Sequence, residues 1–265
     1  MSGEVSIKLQ GGLGNNLFQI ACAYAYSLKY NKKLILVNEK FGITHNTLDT
    51  YKSNILRNVN FIDKYDFSKF QIYNEPEFNY NEIPNIEESV CLNGYFQSEK
   101  YFKEYYKEIR ELFSFPDEYK NSIKEKYKNS LEGITCSIHV RRGDYLKFPE
   151  RHPVQSLNYF MKGVREMPED TKFLIFSDDI EWCKKNFPDV PEKFVFIEGN
   201  SDYEDLLLMS LCKNNIISNS SFSWWAAWFN EDVNKKVIAP FKWFGTANSH
   251  VNNIQDLIPE TWRKI

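Results

Sequence analysis

Ile134-Thr-Cys-Ser-Ile-His-Val-Arg-Arg-Gly-Asp-Tyr145 is the stretch whose reading decides the fold. Residues 134–140 alternate and are rich in β-branched side chains, the mark of a buried strand. Within seven positions the strand end delivers His139, Arg141, Arg142, Gly143, Asp144 and Tyr145. In an open α/β sheet, ligands bind at the carboxyl ends of the strands. Two adjacent guanidiniums placed there suit a phosphate or a carboxylate, which their planar forks bind bidentately. Side chains alternate along a strand, so Arg141 and Arg142 are expected to face opposite ways. One meets a ligand and the other holds Asp144 or another carboxylate. Gly143 lets the chain turn where a side chain would collide. The plainer reading, a strand closing on a solvated Arg–Asp pair, is weakened by the rest of the chain.

Working outward, the N-terminal part opens with an alternating strand over 5–10, the glycine turn Gly11-Gly-Leu-Gly-Asn-Asn16, a helix over 17–30 and a buried strand over 34–37. That order is a βαβ unit, the building block of a parallel sheet. Leu17 stands where a dinucleotide fingerprint needs its third glycine, which excludes that motif. The turn still offers backbone N–H groups at a helix N-terminus with little side chain in the way. From 38 to 93 the pattern is irregular, with short apolar pieces at 61–62 and 70–73. A strand over 90–96 follows, then a helix over 98–113 with Ser98 as N-cap and an aromatic face. Ser114-Phe-Pro-Asp117 is the expected domain joint, separating 1–115 from 116–265. Beyond it a polar helix (118–129) leads into the central strand. Strand and helix then alternate five times, with polar residues repeatedly placed at strand ends.

The chain has 265 residues, 42% of them hydrophobic, which is enough for two ordinary domains with real cores. Its 21 Phe and 16 Tyr predict a largely aromatic interior. The net charge of -3 and dispersed basic residues argue against a nucleic-acid-binding face. Five cysteines show neither a metal spacing nor a disulfide frame, and all but a half-exposed Cys183 are expected in the core. A reducing compartment is the simplest account. With no signal-peptide core and no apolar run of transmembrane length, a cytoplasmic protein, or a soluble domain of something larger, is expected.

Three strand ends of the second half carry matching chemistry: 139–145, Ser177-Asp-Asp179 and Asn219-Ser-Ser-Phe-Ser223. In one parallel sheet they share an edge. The hydroxyls and amides of the third segment sit at a helix N-terminus, suited to phosphate oxygens. Arginine supplies countercharge, and Asp178, Asp202 or Asp205 can accept from guanine N–H groups. Singly, such serines and aspartates are N-caps; together they describe a nucleoside diphosphate site. Trp224, Trp225 and Trp228 are spaced as core rather than as a sugar platform.

Gly11–Gln19, His139–Tyr145, Phe176–Asp179 and Asn219–Trp228 together resemble, in order, the motif set of the α-1,2-fucosyltransferases, glycosyltransferase family 11. Asn16 departs from that pattern, where glutamine is usual, and residues 38–90 are unmatched. The resemblance implies a GT-B-like α/β fold of two Rossmann-like domains facing across a cleft, with an acceptor-side domain first and a GDP-sugar-binding domain second. It implies GDP-β-L-fucose as donor, a glycan as acceptor, inversion at the anomeric carbon, and neither metal nor cofactor. Arg141 would bind the β-phosphate, supported by Arg142 and Asp144, and His139 would touch the nucleoside. The other donor-binding residues expected are Gly12, Gly14, Asn15, Asp178, Asn219, Ser220 and Phe222. A wider likeness to α-1,6- and protein O-fucosyltransferases puts Asp205 on guanine and Ser221 near the diphosphate.

Inversion by one displacement needs a group to take the acceptor proton. Asp144, close to the arginines, is expected to be an anchor rather than that base. Glu150, in the loop 148–153, is the expected base and His152 the alternative. Readings that stay open are another linkage, a protein Ser or Thr acceptor, or a GDP-sugar-binding module without catalysis.

Overall fold

The computed structural model of the chain describes residues 3–38, 40–41, 48–247 and 253–265. The chain divides into two compact units, Met1–Phe115 with Asn253–Pro259 and Pro116–Asn252 with Glu260–Ile265. The boundary at Phe115 and Pro116 lies at the Ser114–Asp117 joint. The continuous 116–265 domain expected from the sequence is corrected, because residues 253–259 pack with the first unit. There the Asp256 carboxylate accepts from Lys100 and from the Tyr80 N–H, and its carbonyl accepts from Ser98 Oγ at 2.7 Å. Leu257 and Ile258 are buried beside it. These contacts are carried by irregular backbone with no periodic pattern, so the excursion leaves no signal in the sequence.

The first unit contains strands β1 (Glu4–Ile7), β2 (Leu9–Gln10), β3 (Lys33–Val37), β4 (Lys40–Phe41), β5 (Phe61–Ile62), β6 (Gln71–Asn74) and β7 (Val90–Asn93). Its main sheet has the order β5-β3-β1-β7-β6 with every pair parallel, and β2 and β4 form a separate parallel pair. Helix α1 (Leu13–Lys29) starts four residues earlier than its apolar spacing predicts. Gly11, at φ +76°, turns the chain so that Gly12 caps the helix in extended geometry. Gly14 and Asn15 are therefore helical rather than part of an open turn. The expected helix over 98–113 is broken into two 3-10 turns, Glu99–Tyr101 and Lys103–Tyr105, before α2 (Tyr106–Leu112). Ser98 does cap, but it caps the first 3-10 turn.

The second unit begins with α3 (Asp117–Lys126) and α4 (Lys128–Leu131). It then runs β8 (Thr135–Val140), α5 (Leu157–Arg165), β9 (Lys172–Ser177), α6 (Ile180–Asn186), β10 (Phe194–Phe196), α7 (Asp202–Leu211), β11 (Asn214–Ile216), α8 (Ser221–Phe229), β12 (Val237–Ala239) and β13 (Arg263–Lys264). The sheet order is β10-β9-β8-β11-β12-β13, all parallel. Counted within the unit this is 3-2-1-4-5-6, the doubly wound order whose switch point lies between the first and fourth strands. Here those strands are β8 and β11.

β8 is buried at all six positions, as a central strand covered on both faces must be. Cys136, Ile138 and Val140 join the apolar core with Phe160, Phe173 and Ile175. The alternate residues Thr135, Ser137 and His139 are polar and buried, so they need partners. Ser137 Oγ accepts from Asn215 Nδ2 at 2.8 Å, tying β8 to β11. Cys183, expected half-exposed, is fully buried, because α6 turns it inward onto this core.

Candidate functional site at the β8–β11 switch point

The end of β8 is held by carboxylates from β9. Asp178 accepts from the Arg142 backbone N–H at 2.8 Å and from Arg141 Nη1 at 2.9 Å. Arg141 Nη2 donates to Asp144 at 2.6 Å, and its guanidinium lies over the Tyr145 ring. Arg142 donates through Nε to Asp179 at 2.9 Å and stacks on Trp182, 4.0 Å from the ring centre. The two guanidiniums thus have separate carboxylate partners, as the opposite facing expected of successive residues at a strand end predicts. Asp144 is engaged with Arg141, not Arg142. Asp179 also caps α6 by accepting from the Trp182 N–H, so the residue that fixes Arg142 fixes its stacking partner too. Gly143 leaves room for this arrangement: a Cβ there would stand 2.5 Å from Asp178 Oδ2, so the carboxylate that holds Arg141 and the Arg142 N–H would have to move. Three carboxylates surround two guanidiniums, so an incoming phosphate must displace a carboxylate from a fork rather than fall into a vacant positive pocket.

At the end of β11, His139 Nδ1 and Ser218 Oγ are hydrogen-bonded at 2.9 Å across the switch point. Burial, reinforced by the Arg141 charge, pushes the His139 pKa down to about 3, so the imidazole is neutral. Its ring contacts Phe222. The Asn219 side chain is fully engaged in the protein: Nδ2 donates to the Pro153 and Trp243 carbonyls, and Oδ1 accepts from Gln155. The Asn219 carbonyl accepts from the Tyr145 hydroxyl at 2.9 Å. Asn219 is therefore placed to fix three loops rather than to offer its amide to a ligand. Ser220 is the N-cap position of α8 and Ser221 its first residue. Trp224, Trp225, Trp228 and Phe229 are all buried, so this helix is apolar on every side and its N-terminus is locked in place.

Glu150 and His152 come to the same edge. The Glu150 side chain is exposed, while its carbonyl accepts from the Ala247 N–H at 2.8 Å. The neighbouring Arg151 carbonyl accepts from the Gly245 N–H. A Cβ on Gly245 would stand 2.2 Å from the Glu150 carbonyl oxygen, so the loop seats against glycine. His152 stacks on Tyr145 at 4.9 Å and meets Phe244, with a buried Nδ1 that has no hydrogen-bond partner among the described residues. Burial lowers its pKa. Asp205 lies on α7, accepting from Asn200 Nδ2 at 3.0 Å. Burial raises its pKa to about 7.

Gly12, Gly14 and Asn15 belong to the first unit, where Asn15 Oδ1 accepts from Gln97 Nε2 at 2.8 Å. Of the stretch 38–90, unmatched by the family motifs, residues 39 and 42–47 lie outside those described. Sequence reading missed Ser218 and Trp182. Ser218 carries one usable signal, a hydroxyl just beyond a strand that neighbours β8. Trp182 carries another, an aromatic three residues after the N-cap Asp179. Among the described residues no helix is long and apolar enough to cross a membrane.

A doubly wound domain with paired arginines and a helix N-terminus at its switch point, preceded by a first parallel-sheet unit, makes this an α/β protein of two Rossmann-like units. The chain belongs to glycosyltransferase family 11, whose family model matches residues 2–264. It is 31% identical over 294 residues to an α-1,2-colitosyltransferase of Escherichia coli, covering 98% of both chains. It is 25% identical over 253 residues to the galactoside 2-α-L-fucosyltransferase SEC1 of Bos taurus, covering 85% of this chain and 64% of that one. Among solved structures it resembles the α-1,6-fucosyltransferase NodZ of Bradyrhizobium co-crystallised with GDP, with a TM-score of 0.55 at 15% identity over 85% of this chain and 92% of that one. The fold is accordingly of the GT-B type.

Proposed function

We propose that the chain transfers L-fucose from GDP-β-L-fucose to a glycan hydroxyl, with inversion and formation of an α-1,2 linkage. The observation that carries this reading is the guanidinium pair at the β8–β11 crevice, beside the N-terminus of α8. Arg141 leaves Asp144 and takes the β-phosphate, while Arg142, held by Asp179 and Trp182, keeps the strand end in position. The amides at the start of α8 face the developing negative charge on GDP. Neutral His139, held by Ser218, lines the nucleoside side, and the Asp205 carboxylate accepts from guanine. The acceptor oxygen attacks the anomeric carbon as the carbon–oxygen bond to the β-phosphate breaks, and its proton passes to Glu150. No metal enters this scheme.

A second reading is colitosyl transfer, favoured by the 31% identity to the colitosyltransferase. Colitose differs from L-fucose by one missing hydroxyl. The test is release of GDP or UDP from a panel of GDP-fucose, GDP-colitose, GDP-mannose and UDP-galactose, with and without galactose-terminated acceptors. Turnover of GDP-fucose above the others supports the first reading. Preference for GDP-colitose selects the second, and turnover of UDP-galactose alone refutes both.

A further inference from the structure

We propose that the first unit carries a separate carbohydrate site that takes a neutral pyranose unit of the glycan, remote from the reacting hydroxyl. This rests on the glycosyltransferase reading. A cavity of about 290 Å³ opens between α1, the loop at 80–83 and the 3-10 turns at 100–105. That volume is at the lower end for small-ligand sites and fits one or two sugar rings.

Its walls include Tyr26, Tyr30, Tyr80, Tyr101 and Tyr105. Three of these rings are fixed from behind by their hydroxyls. Tyr26 donates to the Pro84 carbonyl at 2.9 Å and accepts from the Ile86 N–H at 3.0 Å. Tyr30 donates to the Ile83 carbonyl at 3.1 Å, and Tyr101 accepts from the Asn81 N–H at 3.1 Å. The rings also pack edge-on, Tyr26 with Tyr30 at 4.7 Å and Tyr80 with Tyr101 at 4.9 Å. Rigid aromatic walls lower the ordering cost of binding.

Charge selects the ligand class. Of the three lysines lining the cavity, Lys29 pairs with Glu82 at 2.8 Å and Lys100 with Asp256, while Lys103 stands at the rim next to Glu104 in the chain. Glu82, Glu104 and Asp256 balance the three lysines, so the cavity offers a phosphate or carboxylate no net positive charge. A pyranose matches better, since its C–H face lies against tyrosine and its hydroxyls reach the polar rim at Lys103 and Glu104. The interrupted helix points the same way. The aromatic spacing over 98–113 predicts one continuous helix, yet Tyr101 and Tyr105 each end a separate 3-10 turn beside the cavity. Such departures inside a helical run recur at functional positions.

The cavity meets the second half of α1, which at 1.5 Å per residue puts Tyr26 about 20 Å along the helix from Gly12. A sugar bound there lies far along α1 from the glycine turn, and binding energy from such a part of the glycan can serve the transfer step.

Saturation-transfer NMR on the full chain tests this, using methyl β-D-galactoside and a galactose-terminated tetrasaccharide as probes with the protein saturated in GDP. The tetrasaccharide should show contacts that persist in Arg141→Ala. Tyr80→Ala and Tyr105→Ala should each weaken its binding by about fivefold, the scale of one aromatic contact, at unchanged melting temperature and GDP affinity. If Tyr80→Ala does not fold, Tyr105→Ala at the cavity edge carries the test. No contacts with the tetrasaccharide, equal binding by the tyrosine variants, or loss of binding in Arg141→Ala each overturn the proposal. GDP titration and GDP release on the same samples report separately on the donor reading.

Discussion

Arg141→Ala removes the fork that the donor reading depends on. In the unliganded chain this guanidinium is already bound to Asp144 at 2.6 Å and Asp178 at 2.9 Å, with its side chain 25% exposed. Phosphate binding therefore exchanges one charged partner for another. The loss should fall in the lower part of the 2–5 kcal/mol range for truncating one member of a buried charged pair. About 2–3 kcal/mol corresponds to a 30- to 150-fold weaker Kd for GDP, on the order expected from the standard relation. Calorimetric titration with GDP at fixed ionic strength reads it directly, since exposed charges are screened by salt. Arg141→Lys should recover little, because a point charge cannot reproduce a bidentate fork. A Kd within about threefold of the wild type for Arg141→Ala, well under the range argued above, would remove this residue from the site.

Gly143→Ala should weaken GDP binding by about tenfold and lower stability by about 1–3 kcal/mol, the overpacking scale, because its Cβ collides with the Asp178 carboxylate; calorimetry and thermal unfolding check both. Glu150→Gln should leave GDP affinity intact and cut kcat by about 100-fold; near-normal turnover would clear Glu150, and a matching loss in His152→Asn would move the base there. Asp205, raised to about 7, should make GDP affinity increase as pH rises through 7 and its carboxylate forms, a dependence that Asp205→Asn should lose. The same raised pKa costs stability as pH rises, so Asp205→Asn should raise the melting temperature more at pH 8 than at pH 5. Turnover should survive EDTA, and a loss restored only by a divalent ion would contradict the metal-free scheme.

The second unit was readable because its strands are short apolar runs separated by helical ones and its chemistry sits at strand ends. Thr135–Val140 could be recognised from residue types alone, and the sheet order then follows from the doubly wound pattern. What the sequence hid depends on long-range partners. Nothing local says that Asp178 turns back to the Arg142 N–H, 36 positions away, or that Asn219 is occupied by Pro153 and Trp243. The first unit was harder to read because its loops between β3 and β7 carry few periodic residues. The break at Phe102 defeats the spacing argument: the buried ring fits the apolar stripe, while φ −141° and ψ 0° end the turn. The return of Asp256 to the first unit depends on three polar contacts that no window of sequence contains.

The central claim is that GDP occupies the crevice between the ends of β8 and β11. A crystal structure of the full chain with GDP tests it most directly. The account predicts a β-phosphate hydrogen-bonded to Arg141, with Arg141 released from Asp144 and the diphosphate against the N-terminus of α8. A diphosphate bound elsewhere, or Arg141 still held on Asp144 with GDP in place, would contradict it.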